Sequence, residues 1–263
     1  FGEVVNLLST PRLKHHSCAQ NNRERRRLLQ DINPDAVILL SGSFRSAWIA
    51  RGLGQIRIGT RTEGRGWLLT HAIPRGTSRP RPTCELYADL VEVAVGRRPK
   101  RPKRLVPEDP KPARSGVVLV PGASRDNKRW PESRFVDLGQ KLQASGHAIM
   151  LLGAPEENAR LCAMSEHIPR SRVICENSLH PALLAIQNAA VVVGNDTGPR
   201  HLATLFGTPC VTLFGPTDVR WTPPATSEHA LRAQPFAPGE LVADDNPAAF
   251  TLSLIHISEP TRL

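Results

Sequence analysis

The chain has 263 residues, 40% of them apolar and 22% charged, with a formal net charge of +10, which is ordinary for a globular protein long enough to hold more than one domain. No apolar run approaches the roughly 18 residues that a membrane-spanning helix needs, and nothing at the start resembles a signal peptide, so a cytoplasmic location is expected. The five cysteines form no C-x-x-C pair, which points to reduced thiols rather than a disulfide framework or a zinc site.

The charge is unevenly placed. Residues 1–114 hold 22 Lys and Arg against 10 Asp and Glu, whereas the remainder holds 12 against 14. A basic half suits nucleic acid, an acidic lipid or a phosphorylated glycan equally well, and ordinary solvated surface accounts for many of the same residues.

In chain order, the sequence opens on Phe1 without a methionine, directly into what reads as the end of a strand at Val4, Val5, Leu7 and Leu8, the pattern expected of a piece of a longer protein. Residues 22–31 read as an exposed basic helix. Asp35 to Leu40 reads as a strand, and Ser41-Gly42-Ser43 opens a helix through Ala50 that closes near Gly52 and Gly54. Ile56 to Gly59 is a short strand, and Thr83 to Val95 has helical spacing in Leu86, Leu90 and Val93. Ser41 and Ser43 are helix caps on one reading and cleft residues at a strand's carboxyl end on another. From 96 to 115 the composition shifts to arginine, lysine and five prolines, which cannot form a packed element and is expected to link residues 1–95 to a second domain at 116–235.

That second half alternates strand and helix. Val117–Val120 is a buried strand, followed by the loop Pro121 to Pro131 and a helix carrying Phe135, Leu138 and Leu142. His147–Leu152, Val173–Ile174, Val191–Val193 and Pro209–Phe214 are the further strands, with helices between them and Ser178 as one cap. Short βα connections imply an α/β fold, a parallel sheet with helices on both faces, and in such sheets ligands bind at the carboxyl ends of the strands.

The stretch Gly194-Asn195-Asp196-Thr197-Gly198-Pro199-Arg200-His201 is the chemical centre of this half. Thr197 is a good N-cap, Pro199 suits a first helical turn, and the free amides there favour an anion. Asp196 would repel a phosphate at close range and suits sugar hydroxyls, so the pair of features fits a nucleotide sugar. Ser124, Lys128, Glu156 or Glu157, Asp196 and Thr197 all fall on loops at the same edge, with the His201 ring close by. Lys128 reads equally as a solvated loop cation, and His201 as a ring packed under its own helix. Neither a G-x-x-x-x-G-K-[ST] loop nor a strand-borne G-x-G-x-x-G is present, so no nucleotide hydrolase or nicotinamide cofactor is indicated. Without an Asp-x-Asp pair to carry a metal, a diphosphate would be neutralised by Lys128 or Arg129.

Four ordered motifs carry a family resemblance: Pro-Gly-Ala-Ser-x-x-x-Lys-Arg-Trp-Pro at 121–131, Gly-Ala-Pro-Glu-Glu at 153–157, Asn-Asp-Thr-Gly-x-x-His at 195–201, and Phe-Gly-Pro-Thr-Asp with Trp-Thr-Pro-Pro at 214–224. Together they resemble glycosyltransferase family 9, the ADP-heptose:lipopolysaccharide heptosyltransferases of the second-heptose type in particular. The resemblance implies two facing Rossmann-like domains (GT-B), the N-terminal one incomplete here. The C-terminal domain would hold ADP-heptose, and the N-terminal domain an acidic lipid A and inner-core acceptor at the cytoplasmic face of the inner membrane. Nucleic acid is not an expected partner, and no cofactor or metal is expected. On this resemblance Ser124 and Lys128 contact the diphosphate, and Lys128 stabilises the ADP leaving group. Glu156 or Glu157 binds the adenosine ribose, Asp196 holds heptose hydroxyls, Thr197 and Gly198 offer amides to phosphate, and His201 completes the turn. The family's catalytic base resembles an aspartate in a Gly-Asp turn that would precede Phe1, so a catalytically silent, nucleotide-sugar-binding piece is one alternative expectation, and a basic nucleic-acid-binding protein, against which the sparse aromatic residues count, is the other. Residues 236–263 read as an irregular tail, with 253–263 resembling sequencing-adapter read-through.

Overall fold

The structure is a computed structural model and describes residues 26–27, 29–74, 81–100 and 113–232. Two compact units divide the chain, Phe1–Lys100 and Arg101–Leu263. The strand end expected at residues 4–8 and the tail from 236 lie outside the described residues.

In the first unit, β1 (Ala36–Leu39), β2 (Ile56–Arg61) and β3 (His71–Pro74) form a parallel sheet in that order. Helix α1 (Phe44–Ala50) follows β1, and α2 (Thr83–Val95) follows β3. Ser43 is the N-cap of α1 and accepts from the Ser46 amide at 3.3 Å, as a helix-capping serine should. β3 was not among the expected strands, because His-Ala-Ile-Pro offers one β-branched residue and ends on proline.

A buried cation holds the carboxyl ends of β1 and β2 together. The fully buried Arg65 guanidinium donates to the carbonyls of Ser41 (2.6 Å), Ser43 (3.0 Å) and Thr60 (2.9 Å) and to the hydroxyls of Ser46 and Thr60. Desolvation lowers its pKa below the ordinary arginine value, with Glu63 opposing.

The stretch expected as a linker from 96 to 115 is engaged at both ends. Gly96, at φ +72°, ends α2 in the left-handed conformation, and Arg98 turns back onto Asp89 (2.7 Å), Glu92 (3.0 Å) and Glu85. Three carboxylates on one helix face therefore claim part of the basic run. Residues 101–112 lie outside the described residues.

The second unit is a six-stranded sheet in the order β6-β5-β4-β7-β8-β9, every neighbouring pair parallel. The strands are β4 (Val117–Val120), β5 (Ile149–Leu152), β6 (Arg172–Ile174), β7 (Val191–Asn195), β8 (Cys210–Phe214) and β9 (Glu228–Arg232). Its helices are α3 (Glu132–Ala144), α4 (Asn158–Glu166), α5 (Leu179–Asn188) and α6 (Gly198–Phe206). The period-two alternation of strand side chains divides the core: Val117 and Leu119 pack in a cluster with Phe135, Leu138, Leu161 and Met164 from α3 and α4. Val118 and Val120 face Ala185, Ile186 and Ala203 from α5 and α6. Apolar runs buried on both faces are what a central parallel strand requires.

Residue 114 belongs to this unit: Arg114 donates to the carbonyls of Gly207 (2.7 Å) and Phe206 (3.0 Å) at the carboxyl end of α6. β9 lies beyond Pro209–Phe214 and was not among the expected strands. Glu-His-Ala-Leu-Arg carries no β-branched residue, yet it pairs with β8 along its whole length, from Cys210↔Glu228 to Phe214↔Arg232.

The strand order reverses between β4 and β7, which grow outward in opposite directions from the middle of the sheet. Their carboxyl ends are therefore the edges of a crevice, since successive crossovers leave it on opposite sides. A Cβ added at Gly194 would lie 2.6 Å from Val120 Cβ, so the close approach of the two strands there requires glycine.

Candidate functional site

At the crevice, the loop after β4 and the turn after β7 are joined through Asn195. This fully buried amide accepts from the Trp130 backbone N–H at 3.0 Å and donates to the carbonyls of Pro121 (2.8 Å) and Gly122 (3.4 Å). Both ends of the loop 121–130 are thereby fixed to the last residue of β7. Trp130 is itself buried, edge-on to Phe135 with ring centroids 4.9 Å apart. Within the loop, Arg129 closes the turn on itself, donating to the Ala123 carbonyl at 3.1 and 3.2 Å and pairing with Asp126 at 2.7 Å. Of the two cations expected to face a diphosphate, Arg129 is thus committed to the loop's own shape.

Lys128 reaches across to Asp196, its Nζ 3.4 Å from Oδ2. The other oxygen, Oδ1, accepts from Arg200 at 2.9 Å. Arg200 is buried, in the first turn of α6, and also donates to Glu228 at 2.6 and 3.2 Å and to the Thr222 hydroxyl and carbonyl at 3.0 and 2.9 Å. Its guanidinium lies 4.8 Å from the Phe214 ring centroid. Glu228, equally buried, accepts in addition from the Thr212 hydroxyl at 2.6 Å and the Ala225 amide at 3.3 Å. Behind Asp196 therefore stands a layer of charge paired on every side, which is what makes its burial tolerable.

Thr197 occupies the N-cap position of α6 with extended backbone, but the expected side-chain cap is not made. Its hydroxyl donates instead to the Asn195 carbonyl at 3.3 Å, which satisfies the hydroxyl locally and leaves the first-turn amides without that partner. A Cβ at Gly198 would meet nothing within 4 Å, so the start of α6 borders open space. His201 is on the exposed side of α6; the protein packed around it disfavours its cation and neighbouring Arg200 adds to this, so its pKa falls below the usual histidine value.

Of the two adjacent glutamates, Glu157 turns inward and Glu156 outward. The Glu157 carboxylate accepts from the Ala154 amide at 2.9 Å and from Arg160 at 2.5 Å. It sits where a Cβ on Gly122 or Gly153 would come within 2.5 or 2.7 Å of it, at the carboxyl ends of β4 and β5. Ser124 is exposed on the loop tip. The structure therefore brings Lys128, Asp196, Thr197 and Gly198 to one crevice, sets Glu157 beside it on the β5 side, and turns Glu156 away. Asn195, Arg200 and Glu228 were not singled out from sequence. Asn195 stands inside the quoted motif, where its amide was a usable signal, whereas nothing local marks Arg200 or Glu228 as buried.

Known proteins resemble the chain in sequence and in fold. The sequence model of glycosyltransferase family 9 (heptosyltransferase) matches residues 23–234. The lipooligosaccharide heptosyltransferase 2 of Haemophilus influenzae is 29% identical over 152 residues, 54% of this chain and 43% of that protein. The lipopolysaccharide heptosyltransferase 1 of Pseudomonas aeruginosa is 26% identical over 207 residues, 74% of this chain and 58% of that protein. The matched stretches are thus well short of these relatives' full length. Among solved structures, the E. coli heptosyltransferase WaaC with ADP-2-deoxy-2-fluoro heptose superposes with a TM-score of 0.64 at 25% identity, covering 88% of this chain and 75% of that one. The E. coli ADP-heptose LPS heptosyltransferase II has the same fold, with a TM-score of 0.66 over 80% of this chain and 73% of that one, at 24% identity.

Proposed function

The chain belongs to glycosyltransferase family 9, and from that membership we propose that its second unit holds ADP-heptose and that the protein transfers the heptose to the inner core of lipopolysaccharide. The observation that carries this reading is the pairing of Lys128 with Asp196 at the open start of α6, in the crevice where the strand order reverses. A nucleotide sugar presents a dianionic diphosphate and a ring of hydroxyls within a few ångströms of each other. Lys128, the exposed hydroxyl of Ser124 and the amides of Thr197 and Gly198 meet the first; Asp196 meets the second. Glu157, at the adjoining β5 end, takes the adenosine ribose, and His201, neutral at physiological pH, completes the rim without adding charge.

The chemistry follows from what is charged. As the acceptor hydroxyl attacks the anomeric carbon and the glycosidic bond breaks, negative charge grows on the departing ADP, and the helix amides together with Lys128, once it exchanges Asp196 for the diphosphate, offset it. Asp196 is tied to two cations and serves to position the sugar rather than to take the acceptor's proton, so the base comes from elsewhere. The acceptor is an acidic lipid-anchored glycan, and the basic excess of residues 1–114 is suited to it at the cytoplasmic face of the inner membrane.

The test is titration calorimetry of this chain with ADP-heptose, ADP and UDP. Binding of ADP-heptose more tightly than ADP, with UDP weaker than both, is expected for wild type, and Asp196→Asn should erase the advantage of the sugar while leaving ADP nearly untouched. Equal affinity of wild type for ADP and ADP-heptose would refute the sugar assignment.

A further inference from the structure

Lys128 is not idle in the ligand-free crevice. Its ammonium is paired with Asp196 Oδ2, and a diphosphate that needs the cation must draw it away from a carboxylate that is only about a tenth exposed. Stripped of its partners, such a buried carboxylate would resist the loss strongly. Here it has a second partner. Arg200 holds Oδ1 at 2.9 Å and cannot follow Lys128, because its other donors are fixed on Glu228 and Thr222 and its face lies on Phe214.

We propose that Arg200 is a positioning residue that releases Lys128 to the donor's diphosphate, by remaining as the fixed counter-charge of Asp196 when the lysine changes partners. This rests on the reading of Lys128 as the diphosphate cation. The geometry favours such an exchange in three respects. The two cations use different oxygens of one carboxylate, so one can depart without disturbing the other. The contact to Lys128, at 3.4 Å, is the longer and more exposed, and that to Arg200, at 2.9 Å, the shorter and buried. And Lys128 sits on a loop, whereas Arg200 is locked in a helix against β8 and β9 through Thr212 and Glu228. Arg200 touches neither ligand in this scheme; it acts through Asp196.

The scheme predicts a rescue that a scaffold role does not. Removing Arg200 alone would leave Glu228 buried and unbalanced, so the experiment is run in a Glu228→Gln background, where the amide oxygen still accepts from the Ala225 N–H and the amide nitrogen donates to the Thr212 hydroxyl, which can accept. With ADP as the probe, adding Arg200→Met should weaken binding on the order of tenfold, the coupling expected for one charged contact, because Asp196 then holds Lys128 alone. Adding Asp196→Asn to that double variant should restore ADP binding to within about threefold of the Glu228→Gln protein, since nothing then competes for the lysine. Arg200→Lys in the same background should keep part of the wild-type affinity. Thermal unfolding of each variant confirms that a fold is present. ADP binding unaltered by Arg200→Met, or a triple variant as weak as the double, would overturn the proposal. Lys128→Met separates the two readings: if it binds ADP as wild type does, it is the assignment of Lys128 itself that fails.

Discussion

Asn195→Asp is the substitution that tests most directly how the loop carrying Lys128 is held. The change is isosteric. One carboxyl oxygen can still accept from the Trp130 amide at 3.0 Å, but the group that replaces Nδ2 now faces the Pro121 carbonyl at 2.8 Å and the Gly122 carbonyl at 3.4 Å. Protonated, the new acid donates to Pro121 and reproduces the native pattern. Ionised, it sets oxygen against oxygen in a fully buried position, so the folded state raises its pKa above the unfolded value of about 3.9. The sign follows: a carboxyl whose folded pKa is raised binds more protons folded than unfolded, so the variant matches wild type near pH 4 and loses stability as pH rises toward its folded pKa. The slope is at most about 1.4 kcal/mol per pH unit, and about 2–3 kcal/mol should separate the two proteins at pH 6.5 beyond any difference at pH 4.5. Urea unfolding at pH 4.5, 5.5 and 6.5, compared at equal m, measures it. A wild-type-minus-variant difference constant within about 0.5 kcal/mol across that range would refute the assignment of Asn195 as the donor to both carbonyls. ADP affinity should decline in parallel, because the same bonds fix the ends of the loop that bears Lys128.

Four further outcomes are expected. Glu157→Ala should weaken adenosine binding by about 10- to 100-fold, as loss of a charged hydrogen-bonding group does, whereas Glu156→Ala should change it by less than about twofold; calorimetry with adenosine distinguishes them. Arg65→Met removes the guanidinium from the carbonyls of Ser41, Ser43 and Thr60, which keep only the Ser46 hydroxyl and the Thr62 amide as donors, and should cost about 1–3 kcal/mol of the first unit's stability, read from denaturant unfolding of that unit. His201, whose pKa is lowered by the protein packed around it and by neighbouring Arg200, contributes stability above the unfolded value of about 6.5 that is lost as pH falls below it, so wild type should lose more melting temperature between pH 7.5 and 5.5 than His201→Gln. Burial pushes the Cys210 thiol up to about 11, so at pH 8 iodoacetamide should modify exposed Cys162 well before Cys210, as peptide mass spectrometry would report.

What the sequence disclosed followed the physics of each element. β4 and β7 were legible because a parallel strand buried on both faces must be a run of apolar, β-branched residues, and Val-Val-Leu-Val and Val-Val-Val have few other uses. β3 and β9 were not, since strands at the edges of the sheets formed by the described residues are stabilised by their neighbour's backbone and tolerate His-Ala-Ile-Pro or Glu-His-Ala-Leu-Arg. The loop chemistry was legible where the chain itself supplies the arrangement: Asp196, Thr197 and Gly198 are consecutive and share a crevice by necessity. Lys128 and Asp196 are 68 residues apart, and only the strand order, with β4 beside β7, joins them. Arg200 was invisible as a structural cation because an arginine in a first helical turn normally faces water. Its burial depends on Glu228, 28 residues on, in the strand that the sequence did not reveal. Glu157 and Glu156 could not be separated by composition; the backbone turn at Pro155–Glu157 decides which of the two faces Gly122.

The two units meet one difficulty with one device. In a parallel sheet the core fixes strands and helices through apolar contact, but the loops at the carboxyl edge, where ligands are bound, have little apolar surface to anchor them. Burying a guanidinium beneath those loops answers this, because five N–H donors in a rigid fork can hold several loop groups at once. Arg65 does so with neutral partners, gathering Ser41 and Ser43 from the loop after β1, Ser46 from α1 and Thr60 from the end of β2. Arg200 does so with charged ones, gathering Asp196, Glu228 and Thr222. The difference in partners matters. Carbonyls and hydroxyls held by Arg65 have no other charge to exchange, so that arrangement is fixed and its guanidinium bears a desolvation penalty that Glu63 offsets only in part. Asp196, held by two cations at unequal distances, has one contact that can be surrendered, and so the same architectural solution supplies rigidity in the first unit and a transferable lysine in the second.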